Sequence, residues 1–295
     1  MNMEMFDFMK NADGFIAALD QSGGSTPGAL KGYGIAEDQY QNEEEMFDLI
    51  HQMRTRVITS PAFSSEHIIG AILFKQTMER KMNGKFTADY LWQEKGVVPI
   101  LKVDQGKKDK KNGVQLMKEM TELDDLLKEA KKYNIFATKM RSVIYSADQK
   151  GIKDIVAQQF EYGKKISKAG FVPILEPEVS IKSETKAECE KIMKKEIKKH
   201  LSKLAEDEII IFKLTPPEKA NFYRELIEHP NVLRVAALSG GYSQKVAVEK
   251  LAANKGMIAS FSRALLQDLH VDQSDQEFDE VLKNAVAKIY EASIT

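Results

Sequence analysis

The chain is 295 residues long, enough for one large domain or two ordinary ones with a substantial core. Its 43 basic and 44 acidic side chains leave a formal charge of -1, which removes any general electrostatic case for nucleic acid or an anionic membrane as a partner. No run approaches membrane-spanning length, and Met1 to Asp13 carries Glu4, Asp7, Lys10 and Asp13 where a signal peptide would need an unbroken apolar core.

The single cysteine, Cys189, cannot form an internal disulfide, so a reducing, cytoplasmic location is expected. Its neighbours Lys186, Glu188, Glu190 and Lys191 point to a solvated helical position for it.

Eight short apolar runs recur in order: Phe15 to Leu19, Ile68 to Phe74, Val97 to Val103, Ile135 to Met140, Phe171 to Leu175, Ile209 to Leu214, Val232 to Leu238 and Met257 to Phe261. Helical patterns fill the gaps. Asn42 is a helix cap with Glu45 at the third position, and Met46, Phe47, Leu49, Ile50, Met53, Val57 and Ile58 mark the buried face of a helix that Pro61 ends. Asn83-Gly84 is a turn, and Leu123 to Tyr133 is a helix entering the fourth run. Ile155, Val156, Phe160, Gly163 and Ile166 form a helical stripe stopped by Gly170. Ser183 to Glu206 is predicted as one long helix whose interspersed lysines and glutamates form a solvated face. Pro216 and Pro217 are placed to open the next helix. Ser274 with Glu277 makes a further capping box, and Phe278, Val281, Leu282, Ala285 and Ile289 line the last helix.

Nothing divides the chain by composition, so residues 1–295 are expected to form one domain with its terminal helices packed on it. Eight continuously apolar strands alternating with helices imply a parallel sheet covered on both faces, and the length suits an α/β fold of the (β/α)8 TIM-barrel type. The rival open sheet would carry a glycine-rich phosphate turn after its first strand, but Asp20-Gln21-Ser22-Gly23-Gly24-Ser25 does not match that pattern.

Charges gather where the runs end. Lys102 and Asp104 close the third, Lys139 and Arg141 the fourth, Glu176 and Glu178 the fifth, and Lys213 the sixth. Each pair is spaced by two, so both members share one side of their strand. In a barrel these ends meet at one mouth, where amines and carboxylates can act as acid, base and nucleophile together. Lys213 shares its face with Ile209 and Ile211, so partial desolvation disfavours its ammonium form, and a neutral lysine can attack a carbonyl to form a Schiff base. A lysine that snorkels to solvent or pairs with a carboxylate is the alternative for Lys213 alone.

Two later strand ends suit phosphate. Leu238-Ser239-Gly240-Gly241 lets backbone N–H groups approach an anion ahead of a helix, and Ser260-Phe261-Ser262-Arg263 brings a guanidinium fork. Lys102 with the hydroxyls of Ser22 and Ser25 can hold a second phosphate, unless those serines only cap a turn. None of the five histidines ends a strand, so a zinc mechanism at this mouth lacks its usual ligands; a metal-free, cofactor-free, lysine-centred mechanism is expected.

These segments, with Ala17-Ala18-Leu19-Asp20-Gln21-Ser22, Gly70-Ala71-Ile72-Leu73-Phe74 and Val172-Pro173-Ile174-Leu175-Glu176-Pro177-Glu178, resemble the class I fructose-bisphosphate aldolases, in particular their short bacterial branch, over nearly the whole chain. The resemblance implies reversible, metal-independent cleavage of fructose 1,6-bisphosphate to dihydroxyacetone phosphate and glyceraldehyde 3-phosphate, a glycolytic and gluconeogenic step. It implies Lys213 as the Schiff-base amine, Glu176 as acid/base, Asp20 as a second carboxylate, Glu178 as support for Glu176 and Lys139 as a stabilising cation. Ser239, Gly240, Ser262 and Arg263 match the site for the phosphate next to the ketone, with Gly241 and Ser260 beside them. Ser22, Ser25 and Lys102 match the distal phosphate site, and Arg141 a further substrate charge. The expected partners are a small phosphosugar and, at most, further copies of the chain. The chain departs from the animal members in lacking their long tail with its terminal tyrosine, in carrying Ala29 where they have a phosphate-binding arginine, and in carrying Ser262 for a glycine. Tyr290 lies inside the last helix and does not take the tail tyrosine's role. A Schiff-base enzyme for another phosphosugar, or a phosphosugar-binding protein without turnover, are the competing readings.

Overall fold

The computed structural model describes residues 2–22 and 24–295. Eight strands run parallel in one closed ring: β1 (Phe15–Leu19), β2 (Ile68–Leu73), β3 (Val98–Lys102), β4 (Ala137–Ile144), β5 (Val172–Val179), β6 (Ile210–Leu214), β7 (Val232–Ala237) and β8 (Ile258–Phe261). Each pairs with its neighbours in sequence, β1 pairs with β8, and β3 pairs directly with β4, so no parallel edge is left open. Helices cover the outside, as the rule that parallel sheets bury both faces requires. The (β/α)8 expectation holds. Among the described residues, no helix is long and apolar enough to cross a membrane.

Alternation along the strands sorts side chains into two cores. Outward residues such as Phe15, Leu73, Leu101, Leu175, Phe212 and Phe261 pack under the helices. Inward residues, among them Ile16, Ile72, Ile100, Ile174, Ile211 and Ile258, fill the lower barrel. Two positions further along the same faces stand the charges: Lys102 follows Ile100, Glu176 follows Ile174 and Lys213 follows Ile211. The barrel is thus hydrocarbon at its floor and ionic at its mouth, and the period of two puts it there.

The floor is closed by the N-terminal helix Met3–Asn11, whose Met5 and Met9 are buried with the inward strand residues. Nine residues are too few for a stable isolated helix, so burial holds it; two buried methionines contribute on the order of 3–6 kcal/mol. Gly70 on β2 makes room, since a Cβ there would lie 3.0 Å from Met9 Cε. Arg234 on β7 donates to Met9 O at 2.8 Å and Ala12 O at 2.6 Å, satisfying carbonyls at the helix C-terminus where a cation also suits the dipole.

Several sequence expectations need correction. β4 and β5 run on through Arg141, Glu176 and Glu178 instead of ending before them, because Arg141 lies in register with Glu176 across the two strands and the inward charges are matched. A two-residue strand, Val114–Gln115, also pairs antiparallel with β4. The helix expected over Ser183 to Glu206 spans only Lys186–Leu201. Its face is not uniformly solvated: Lys186, Glu190 and Glu196 are buried, Lys186 pairing with Glu190 and donating to Pro216 O at 2.8 Å. Cys189 is on this inner face and fully buried, with the Ser183 and Thr185 hydroxyls each 3.7 Å from Sγ. Pro216 and Pro217 open no helix. The next one is Arg224–Ile227, since the polar run from Glu218 to Asn221 has no apolar stripe and Asn221 turns left-handed at φ 58°.

Candidate active site

Lys213 enters the mouth from β6 with its side chain 6% exposed, and Nζ lies 3.4 Å from Glu176 Oε1 on β5. The other Glu176 oxygen is 3.0 Å from Lys139 Nζ on β4, and Lys139 reaches on to Asp20 Oδ2 at 2.5 Å, just past the end of β1. Four inward positions on four strand ends therefore alternate in charge across the mouth. Lys139 faces Glu176 Oε2 at ion-pair distance without hydrogen-bond alignment, so that buried oxygen keeps a lone pair free of any donor.

The electrostatics follow from Lys139 standing between two acids. Burial pushes the Asp20 carboxyl up, but Lys139 and then Lys213 outweigh it and hold Asp20 well below the usual carboxylate range. Burial also raises Glu176, and Lys139, Lys213 and Arg141 together bring it below its ordinary value. Burial disfavours the Lys139 ammonium, yet Asp20 and Glu176 raise it far above the ordinary lysine range. At neutral pH the resting site thus holds two carboxylates around one firmly charged lysine.

The remaining charged candidates form an outer ring. Arg141 Nε donates to Glu178 Oε2 at 2.6 Å, so Glu178 is bound to Arg141 and not to Glu176 itself. Lys102 Nζ donates to Asp104 Oδ1 at 2.9 Å and to its carbonyl at 2.8 Å, and Asp104 Oδ2 accepts the Arg141 N–H at 3.2 Å. A cavity of about 620 Å³ opens beside this ring and not over Lys213; Ser22, Phe74, Lys102 and Asp104 are among its walls. Ser25 does not reach it: its hydroxyl accepts the Ser22 N–H at 3.0 Å and donates to Ser22 O at 3.1 Å, closing a turn.

On the opposite side, Gly240 and Gly241 both have left-handed φ, 57° and 101°. Glycine is needed at both. A Cβ on Gly241 would lie 3.8 Å from Arg263 Nη1, so the guanidinium stands directly over the glycine turn. Ser243 then caps the helix Gln244–Ala252. Ser239 is buried at the turn, Ser262 lies at the end of β8, and Ser260, one layer deeper, has a buried hydroxyl with no partner.

Two groups were missed from sequence. Lys107 follows the third strand, and Arg141 and then Glu178, Asp104 and Glu176 act on its charge; burial first, then Arg141, lowers it from the ordinary lysine value. Arg54 sits in the helix Glu43–Thr59 and is 1% exposed. Its signal was available, since it falls between Ile50 and Ile58 on the apolar stripe at spacings of four. Among the described residues, no cluster of three or more His, Cys, Asp or Glu is arranged to hold a metal ion.

Comparison with solved structures places this architecture beside fructose-bisphosphate aldolase from Plasmodium falciparum, in a complex with TRAP and an inhibitor, at TM-score 0.76 and 18% identity over 98% of this chain and 93% of that one. A Corynebacterium glutamicum protein, Cgl0159, matches at TM-score 0.54 and 13% identity over 99% of this chain and 92% of that one. At such identities these two likenesses speak for the barrel and not for its chemistry. The sequence itself matches the family description for class-I fructose-bisphosphate aldolase across residues 8–215, from the floor helix to just past Lys213. With more than two thirds of its length matched, the chain belongs to the class-I fructose-bisphosphate aldolase family and is a lyase of the aldolase type, working through a Schiff base.

Proposed function

We propose that the chain reversibly cleaves fructose 1,6-bisphosphate to dihydroxyacetone phosphate and glyceraldehyde 3-phosphate, with Lys213 as the amine that forms the Schiff base. The observation that carries this reading is the Lys213 Nζ to Glu176 Oε1 distance of 3.4 Å between two side chains that are both buried at the mouth. Glu176, a carboxylate at rest, takes the proton that frees the Lys213 amine. The amine adds to the ketone carbon, and Glu176 returns the proton to the carbinolamine hydroxyl, which leaves as water. The resulting iminium draws in the electron pair of the adjacent carbon–carbon bond as Glu176 accepts the proton of the neighbouring hydroxyl. The aldehyde departs, leaving an enamine that is protonated and hydrolysed in turn.

Lys139 keeps this region positive enough for Glu176 to ionise, and Asp20 anchors Lys139. Glu178 orients Arg141. The support for a substrate with two phosphates is the presence of anion donors on both sides of the amine. Ser239, Gly240, Gly241, Ser260, Ser262 and Arg263 lie to one side, and Lys102, Ser22 and Arg141 to the other. Ser25 contributes by shaping the Ser22 turn.

Borohydride reduction in the presence of dihydroxyacetone phosphate, followed by peptide mass mapping, tests the assignment. The reduced adduct is expected on the peptide containing Lys213. An adduct on another lysine, or none, removes the reading.

A further inference from the structure

One side chain that the reaction does not use ties together the exits of three barrel strands. Arg54 Nη1 donates to Thr77 Oγ1 at 2.6 Å, just after β2, and Nη2 donates to Gln21 O at 2.6 Å and Gln21 Oε1 at 3.1 Å, just after β1. Gln21 Nε2 then donates to Ser262 Oγ at 2.6 Å, at the end of β8. Arg54 makes no ion pair with a carboxylate among the described residues, and its Nε, also buried, has no partner. A buried guanidinium held only by neutral acceptors, with no carboxylate paired to it, is costly to keep, and only a group that donates can bridge a carbonyl, an amide oxygen and a hydroxyl in this way.

The direction of the hydrogen bonds carries the argument. A guanidinium can only donate, so the Gln21 atom facing it must be the amide oxygen, and the amide nitrogen must face Ser262. Ser262 Oγ is then an acceptor from Gln21, and its single proton is left free for another acceptor, at the strand end next to Arg263 and the glycine turn. With any other orientation of the amide, that proton would point back at Gln21.

We propose that Arg54 and Gln21 are positioning residues that hold the Ser262 hydroxyl as a hydrogen-bond donor to a phosphate group of the substrate. The inference rests on the phosphosugar reading above and adds how one of its anion sites is set. The relay runs from a fixed cation through an amide of forced orientation to a hydroxyl of forced polarity, and each step strengthens the next.

Gln21→Glu is the informative variant. A carboxylate keeps the Arg54 contacts and turns them into an ion pair, but it has no proton to give, so Ser262 must donate back to it. Thermal stability should be unchanged or higher. The half-saturating dihydroxyacetone phosphate in the borohydride assay should rise about tenfold, the worth of one hydrogen bond to a charged group. The stabilisation of the protein by inorganic phosphate in thermal melts should fall in parallel. Repulsion by the added negative charge is separated by repeating both measurements on a Ser262→Ala background. The relay predicts that most of the Gln21→Glu effect disappears there, because the hydroxyl it acts through is gone. An undiminished effect on that background, or unchanged phosphate affinity in the single variant, overturns the proposal. If the wild-type chain forms no adduct at all, the aldolase reading fails by itself. The phosphate-dependent melts still decide the relay.

Discussion

Lys139→Met should convert the mouth from the part of the barrel that gains stability with ionisation into the part that loses it. The wild-type amine lies 2.5 Å from Asp20 and 3.0 Å from Glu176, and removing it leaves Asp20 without its ion pair and Glu176 with only Lys213 at 3.4 Å. Breaking a buried pair in this way costs about 3–5 kcal/mol. The protein can limit the loss by protonating one acid, at about 1.4 kcal/mol for each pH unit above the unfolded value near 4. That escape costs roughly 1 kcal/mol at pH 5 and roughly 4 kcal/mol at pH 7, so the penalty should grow with pH between those values. The wild type behaves oppositely. Its Asp20 and Glu176 sit below their unfolded values, so their contribution is present above about pH 4 and is lost as pH falls through the folded values. Thermal melts of both proteins at pH 5 and pH 7 check this, with an expected gap on the order of 6–10 °C at pH 7 and clearly less at pH 5. An equal gap at the two pH values would refute the placement of Lys139 between two ionised acids.

Glu176→Gln keeps the shape of the side chain but cannot carry a proton, and turnover of fructose 1,6-bisphosphate should fall at least about a hundredfold; an unaffected rate reassigns the acid/base role. Gly240→Ala places a Cβ 3.0 Å from Ile181 and Leu238 at a left-handed φ, and denaturant titration should show a loss of about 1–2 kcal/mol together with weaker protection by inorganic phosphate. Cys189 is fully buried, so a thiol-reactive chromophore should label the native chain slowly and the unfolded chain at once. Rapid native labelling would contradict the packing of Lys186–Leu201.

Much of this barrel was legible in advance because β strands buried on both faces have a simple signature. All eight apolar runs became strands, and the spacing of two between Lys139 and Arg141, or Glu176 and Glu178, correctly put each pair on the inner face. The misses share a cause. Where a charge is buried against a charge from a distant segment, local polarity misleads: Glu176 seemed to end its strand and Lys186 seemed solvated, and each instead meets a partner brought close only by the fold. Arg54 was passed over for the same reason, as its partners lie on segments around residues 21 and 77. Ring closure, which pairs β1 with β8, is equally invisible to local pattern.

The plug beneath the barrel has a bearing on how the chain matures. Met3–Asn11 leaves the ribosome ahead of all eight strands, yet its socket includes Ala236 and Ile258 and its clasp is Arg234, all made more than two hundred residues later. Met5 and Met9 must therefore stay uncovered until the last two strands have been made, and sticky thioether surface in the meantime is an invitation to chaperones. Shortening that wait, by circularly permuting the plug to follow the last helix, should yield a chain that aggregates less while being made.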